Sequence, residues 1–274
     1  MAETSAANEI HEAVLNVYDG KSNEGSITFV SIPFLQKLVA ELVGTYFLIF
    51  LGGVSVVVNN NNNNIITLPG IAIVWGLLVM ALVYSLGHIS GAHFNPAVTL
   101  ALASTKRFPL KQVPAYILTH VVGCLLASVT VRHIFTGKQD QFIGTLITGS
   151  YLRGFVLEFL VTFFLMFVVS GVATDSRATG ELAGIVIGAT VMLNVLVAGP
   201  ITGTSMNPAR SLGPAIVWHE YRGIWVYMTA PVAGAVAGVW VYNIIRSTDK
   251  PKHETKKGGT SFPKASSCCC GASK

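Results

Sequence analysis

Two short apolar segments, residues 95–104 and 207–217, both begin Asn-Pro-Ala. They sit among six longer apolar stretches near 36–58, 69–88, 112–135, 152–173, 181–199 and 223–245. Each long stretch has the ~20 residues that a helix needs to cross a bilayer, whereas each short one covers only about half of that thickness. Proline is tolerated in the first turn of a helix, where its missing N–H has no partner to lose. Each Asn-Pro-Ala is therefore read as the start of a half-length helix, not as a kink in a long one. Only 11% of the residues are charged, well under the quarter usual in soluble domains, so the chain belongs to the membrane class. The expected fold is all-α: six transmembrane helices plus two re-entrant half-helices.

The two halves repeat one another. "AELVGTYFLIF" (40–50) aligns with "LEFLVTFFLMF" (157–167), pairing Glu41 with Glu158 and Thr45 with Thr162. Ala72 and Gly76 align with Gly184 and Gly188, Gly91 with Gly203, Asn95-Pro96-Ala97 with Asn207-Pro208-Ala209, and Gly123 with Gly234. Three spans per half insert the second copy upside down, an inverted repeat whose half-helices meet near the midplane. Small residues four apart (Ala72/Gly76, Gly184/Gly188, Gly234/Gly238) are expected to let helices approach closely where lipid offers no hydrophobic drive.

Charge orients this scheme. With both ends on one side, the segments on that side hold thirteen Lys/Arg; the opposite segments hold only Arg132, Lys138, Arg153 and Arg222, and Arg210 stays within the membrane. Positive loops stay cytoplasmic, so both termini are expected there. The formal net charge of +5 reads as membrane-flanking cations, not as a nucleic-acid surface. The expected organisation is a cytoplasmic segment 1–34, a channel-like domain 35–246 with repeats 35–135 and 152–246, and a cytoplasmic tail 247–274. The asparagine run Asn59–Asn64 is read as a low-complexity insertion in a solvated outer loop. Cys268, Cys269 and Cys270 suit neither a bridge nor a spaced metal site; they are read as unmodified thiols, with acylation as the alternative.

Irregular backbone at membrane depth survives only where protein buries it or where it lines a watery cavity. The stretches "HISGAHF" and "GPITGTSM" therefore imply a pore with a ladder of carbonyl acceptors. Two half-helix N-termini, each with about half a positive charge, would face each other at its centre and repel cations. Asn95 and Asn207 cap those helices and are expected to offer side-chain amides to passing hydroxyls. Arg210, directly after the second motif, is expected to be held partly by loop carbonyls with its remaining donors in the pore.

"SGAHFNPAVT" and "MNPARS" resemble the two signature loops of the aquaporin (major intrinsic protein) family, and the likeness runs over roughly residues 36–245. "VAELVGTYFLIF", "PGIAIVWG", "KRFPLKQVPAY", "GVATDSRA" and "ELAGIVIG" resemble more narrowly the plant nodulin-26-like intrinsic proteins. The resemblance implies a homotetramer with one pore per subunit and a narrowest ring at Trp75, Val195, Thr204 and Arg210. It implies a passive passage for water and small neutral solutes such as glycerol, with urea, ammonia and undissociated metalloid acids as further candidates, and exclusion of ions and protons. Val195 replaces the histidine typical of strict water channels, while Ser211 and Ala215 follow the water-channel pattern. The resemblance also points to Ser261 as a target for a tail kinase, and to a plant plasma membrane, an endomembrane or a symbiosome membrane as the location.

Glu41 and Glu158 admit two readings: a proton relay, or buried carboxylates that accept hydrogen bonds from the pore loops. Their placement once per half favours loop support. No His/Cys/Asp/Glu cluster at metal-ligand spacing and no nucleophile–base pair is visible, so neither an enzyme nor a metal or other cofactor is expected.

Overall fold

The computed structural model describes residues 31–178 and 180–246. Eight helices follow one another: α1 (Ile32–Asn61), α2 (Thr67–Ser90), α3 (Pro96–Ser104), α4 (Val113–Ile134), α5 (Tyr151–Ala173), α6 (Ala183–Thr202), α7 (Pro208–Trp218) and α8 (Ile224–Ile245). Six are long and apolar enough to span a membrane. At 1.5 Å per residue, α3 and α7 reach only about 14–17 Å. The irregular backbone is shorter than the sequence suggests. α2 continues through Ser90 and α6 through Thr202, so only residues 91–94 and 203–206 leave helical geometry ahead of the two asparagines.

The halves are interlocked, not side by side. α1 packs on α4 and α5 on α8 within each half, α2 packs on α6 across the halves, and each half-helix lies against a spanning helix of the opposite half (α7 on α4) or the terminal one (α3 on α8). Between membrane helices, close backbone approach supplies the attraction that water would otherwise provide. A Cβ on Gly76 would stand 2.7 Å from the Gly188 carbonyl oxygen, and one on Gly188 would stand 2.5 Å from that of Gly76. These two glycines touch each other at the middle of the α2–α6 crossing. Gly123 meets Leu42 O and Thr45 on α1, and Gly234 meets Phe159 O on α5. Gly213 lets α7 settle on the Cys124 backbone of α4. The outward positions of α1, α4, α5, α6 and α8 carry exposed Val, Leu, Ile and Phe, the belt a lipid-facing surface requires.

The asparagine run is only partly a solvated loop: Asn60, Asn62, Asn63 and Asn64 are exposed, but its start belongs to a helix. α1 continues to Asn61, Asn59 is buried, and its Oδ1 accepts the Thr67 N–H at 2.8 Å while its Nδ2 donates to Asn64 Oδ1 at 3.0 Å. Asn62 Nδ2 donates to Val58 O, closing the helix end. Asparagine amides here satisfy backbone groups that a helix terminus leaves open.

At the opposite end, Asp175 ties the α5–α6 connection to the end of α8. It accepts a bidentate pair from Arg177 at 2.7 and 2.9 Å and the Tyr242 hydroxyl at 3.0 Å, with Arg246 Nε at 3.9 Å. The Arg177 guanidinium hydrogen-bonded to it holds the Asp175 carboxyl well below the usual carboxylate range. A carboxyl depressed in the folded state stabilises at every pH above its unfolded value, and that contribution is lost only as pH falls through the folded one. Asp175→Asn is therefore expected to lower the unfolding temperature by the same amount across pH 5–8. The gap to the native protein should narrow only below about pH 4. Differential scanning fluorimetry in detergent across pH 3–8 measures this; a gap that closes between pH 7 and 5 would contradict it.

Candidate functional site

The two pore loops have the same unusual backbone. φ is positive at Gly91 (90°), Ala92 (49°) and Phe94 (50°), and again at Gly203 (72°), Thr204 (46°) and Met206 (51°). Alternation between left-handed and ordinary φ turns successive N–H groups to one side, a nest that holds an anion, and sends the carbonyls to the other. The anion is a glutamate in both loops. Glu41, fully buried, accepts the N–H groups of His93 (3.0 Å) and Phe94 (2.7 Å). Glu158, equally buried, accepts those of Ser205 (2.8 Å) and Met206 (2.9 Å). Each carboxylate has a side-chain partner as well: His120 Nε2 lies 2.7 Å from Glu41 Oε2, and the Thr202 hydroxyl donates to Glu158 Oε1 at 2.6 Å.

Asn95 and Asn207 sit at the N-caps of α3 and α7. The Asn95 Oδ1 accepts the Ala97 N–H at 2.8 Å; the Asn207 Oδ1 accepts those of Ala209 (3.0 Å) and Arg210 (3.3 Å). Their amide nitrogens cross over. Asn95 Nδ2 donates to Met206 O at 2.7 Å, and Asn207 Nδ2 donates to Phe94 O at 2.8 Å. One hydrogen of each amide thus closes a reciprocal clasp, and one is left for a solute. Pro96, Ala97, Pro208 and Ala209 form the first turns and are buried with the asparagines.

Trp75, Val195, Thr204 and Arg210 come together at one end of a cavity of about 1510 Å³ that continues past Asn95 and Asn207 to a mouth at Arg107, Asp175 and Arg246. Trp75, Val79, Val83 and Gly87 line it from α2, and Ile187, Val191 and Val195 from α6. The four-residue spacing marks one helical stripe on each. The arrangement around Arg210 departs from expectation. Among the described residues no carbonyl holds its guanidinium, and Nη1 is buried without a hydrogen-bond partner. Instead the guanidinium lies over the Trp75 ring, 4.7 Å from its centroid, where the ring's negative face attracts it. Trp75 has room because a Cβ on Gly52 would stand 2.5 Å from its ring. Thr204 turns its hydroxyl towards Asn194 O at 3.4 Å.

Several residues that build the site went unnoticed in the sequence. Ser90 and Thr202 use their hydroxyl oxygens to accept the N–H groups of Ala92 and Thr204, both at 3.1 Å. Tyr116 and Tyr227 donate to the Ser90 and Thr202 carbonyls at 2.9 and 2.6 Å. Ser90 and Thr202 keep the same 112-residue offset as the two asparagines, which would have found them. Asn194 Nδ2 donates to Val161 O at 2.9 Å and lies 3.1 Å from Met206 Sδ. Thr145, from the α4–α5 connection, meets the Ser211 hydroxyl at 2.6 Å, and Ser211 meets Ser205 at 2.6 Å. His88 and His93 both line the cavity, and His93, largely buried, keeps Nδ1 2.9 Å from the Thr99 hydroxyl. Ser261 and Cys268–Cys270 lie outside the described residues.

An inverted helical repeat around a lined passage, with two opposed helix N-termini at its centre, defines a membrane channel. The chain matches the family Major intrinsic protein over residues 28–242. It is 62% identical to Nodulin-26 of Glycine max over 262 residues, covering 95% of this chain and 97% of the relative. Its identity to Aquaporin NIP1-2 of Arabidopsis thaliana is 61%, covering 86% of this chain and 83% of the relative. The X-ray structure of the aquaglyceroporin from Plasmodium falciparum superimposes with a TM-score of 0.69 at 26% identity, covering 77% of this chain and 96% of that one. The chain belongs to the major intrinsic protein family, within its nodulin-26-like group. It is an integral, multi-pass membrane channel and not an enzyme.

Proposed function

We propose that this channel conducts water and small neutral solutes of glycerol size, and that Trp75, Val195, Thr204 and Arg210 select among them. The observation that carries the reading is the ring itself. An arginine stacked on a tryptophan face stands opposite a valine, all at the end of one continuous cavity. The guanidinium offers donors to hydroxyls, while Val195 accepts a carbon skeleton. Asn95 and Asn207, each with one uncommitted amide hydrogen, provide the next pair of donors. Arg210 and the two helix N-termini oppose cations. Glu41 and Glu158 hold the loops: each accepts two backbone N–H groups and has a side-chain partner beside it.

The segments 1–34 and 247–274 lie on the cytoplasmic side, as the thirteen-to-four Lys/Arg bias favours. The subunit assembles as a homotetramer, Ser261 is the tail site for a kinase, and the host is a plant plasma membrane. These follow from family likeness.

Stopped-flow light scattering on proteoliposomes tests the ring. Native protein should pass both water and glycerol above protein-free vesicles. Trp75→His with Val195→Ile should lower glycerol permeability about tenfold, since a narrowed, more polar ring loses the carbon-face contact, while water changes little. Native vesicles that pass water but no glycerol would refute the solute assignment.

A further inference from the structure

The selective ring has a counterpart in the other half of the repeat. Around the pore the two halves keep a fixed offset of 112 residues. Asn95 and Asn207 share it. So do the left-handed pairs Ala92/Thr204 (49° and 46°) and Phe94/Met206 (50° and 51°), and so do Gly76 and Gly188, which touch each other. Applied to the ring, the offset carries Trp75 to Ile187, Val195 to Val83, Thr204 to Ala92 and Arg210 to Val98. All four counterparts line the same cavity. Val83 is eight residues along α2 from Trp75, and Ile187 is eight residues along α6 from Val195, so this second ring lies about 12 Å from the first, towards the mouth.

Its chemistry is the opposite of the first ring's. Three of the four positions in the first ring carry a hydrogen-bonding side chain, and none does in the second. The polar side chains of His93 and Asn95 line the cavity from the pore-loop side. We infer that Val83, Ala92, Val98 and Ile187 form a second selectivity station, an apolar collar that favours solutes with one carbon face, such as small polyols, over water. Water crossing the collar finds acceptors on one side only and gives up partners on the others. A polyol lays its carbon edge on the collar and keeps its hydroxyls on the loop. The side chains that replace arginine and tryptophan are smaller, so the collar discriminates by polarity and not by width.

This inference rests on the passage being a route for water and polyols, which flux through the native protein tests by itself. The collar is tested with Val83→Thr and Ile187→Thr, singly and together, in the same vesicles. A hydroxyl on the collar should raise water permeability about threefold or more, with glycerol permeability unchanged within about a factor of two. Ile187→Ala separates polarity from width: it should raise water flux less than Ile187→Thr does. If the Ile187 variants do not reach the vesicles, Val83→Thr, which keeps side-chain volume, and Val83→Thr with Val98→Thr carry the test. Unchanged water flux in the threonine variants, while Trp75→His/Val195→Ile still lowers glycerol, would overturn the collar and leave the ring standing. A larger rise in Ile187→Ala than in Ile187→Thr would also overturn it.

Discussion

Glu158→Gln should reduce both water and glycerol permeability to near the level of protein-free vesicles, although it exchanges one oxygen for one NH2 group. The Ser205 and Met206 N–H groups reach different carboxylate oxygens of Glu158. Whichever way a glutamine amide is turned, its NH2 faces one of those donors. The surviving bond also loses its charge, and charge-assisted hydrogen bonds are roughly twice as strong as neutral ones. One buried donor stranded and others weakened cost about 2–4 kcal/mol. That cost falls on a loop with three left-handed positions, Gly203, Thr204 and Met206, so the loop gives way before the helices do. Stopped-flow flux together with circular dichroism separates the two effects: flux lost, helix content kept. Glu41→Gln should behave alike, and retention of native flux by either variant would show that the nests do not depend on an anion.

Gly188→Ala should be strongly destabilising. The added carbon would stand 2.5 Å from Gly76 O and 2.9 Å from Met80 Cβ. A backbone carbonyl cannot swing aside as a side-chain tip can, so α2 and α6 must part. Overpacking of this kind costs about 1–3 kcal/mol, and more where backbone must move. Gly76→Ala meets Gly188 O at 2.7 Å and Met192 Cβ at 2.9 Å and should cost a similar amount. The double variant should cost less than the sum, because helices already parted accept the second methyl. Gly87→Ala is the control: it lies on the same helix and lines the same cavity, with nothing nearer than 3.9 Å. Thermal unfolding in detergent gives all four values. A Gly87→Ala loss equal to that of Gly188→Ala would mean that glycine content, and not the crossing, sets stability.

The frame of the fold was legible because its signals are periodic. Long apolar runs, two Asn-Pro-Ala starts and a repeat offset can all be counted along one chain. Glu41 and Glu158 stood out because a carboxylate in an apolar helix needs a reason. What escaped were residues whose meaning is set by a partner far away in sequence. His120 is one more polar residue in α4 until Glu41, 79 residues earlier, lies beside it. Thr145 sits in the α4–α5 connection, and the bare Cα of Gly203, whose added Cβ would stand 3.2 Å from Thr145 Cγ2, lets it reach Ser211. The Arg210 environment was misjudged because sequence shows that a buried guanidinium needs company, but not whether a carbonyl or a ring supplies it. The asparagine run looked like filler because composition hides the one fact that matters, that Asn59 faces the start of α2.

The crossed amides of Asn95 and Asn207 also bear on how the molecule is made. A ribosome delivers the chain from its N-terminus, so the Phe94 carbonyl and the Asn95 amide are in place more than a hundred residues before the groups they bind. Until residue 207 has been synthesised and brought into the bilayer, the first half has helices but no closed centre. The aqueous path is thus completed at a late step of biogenesis, and a truncated product ending before α7 would be inserted yet unable to conduct.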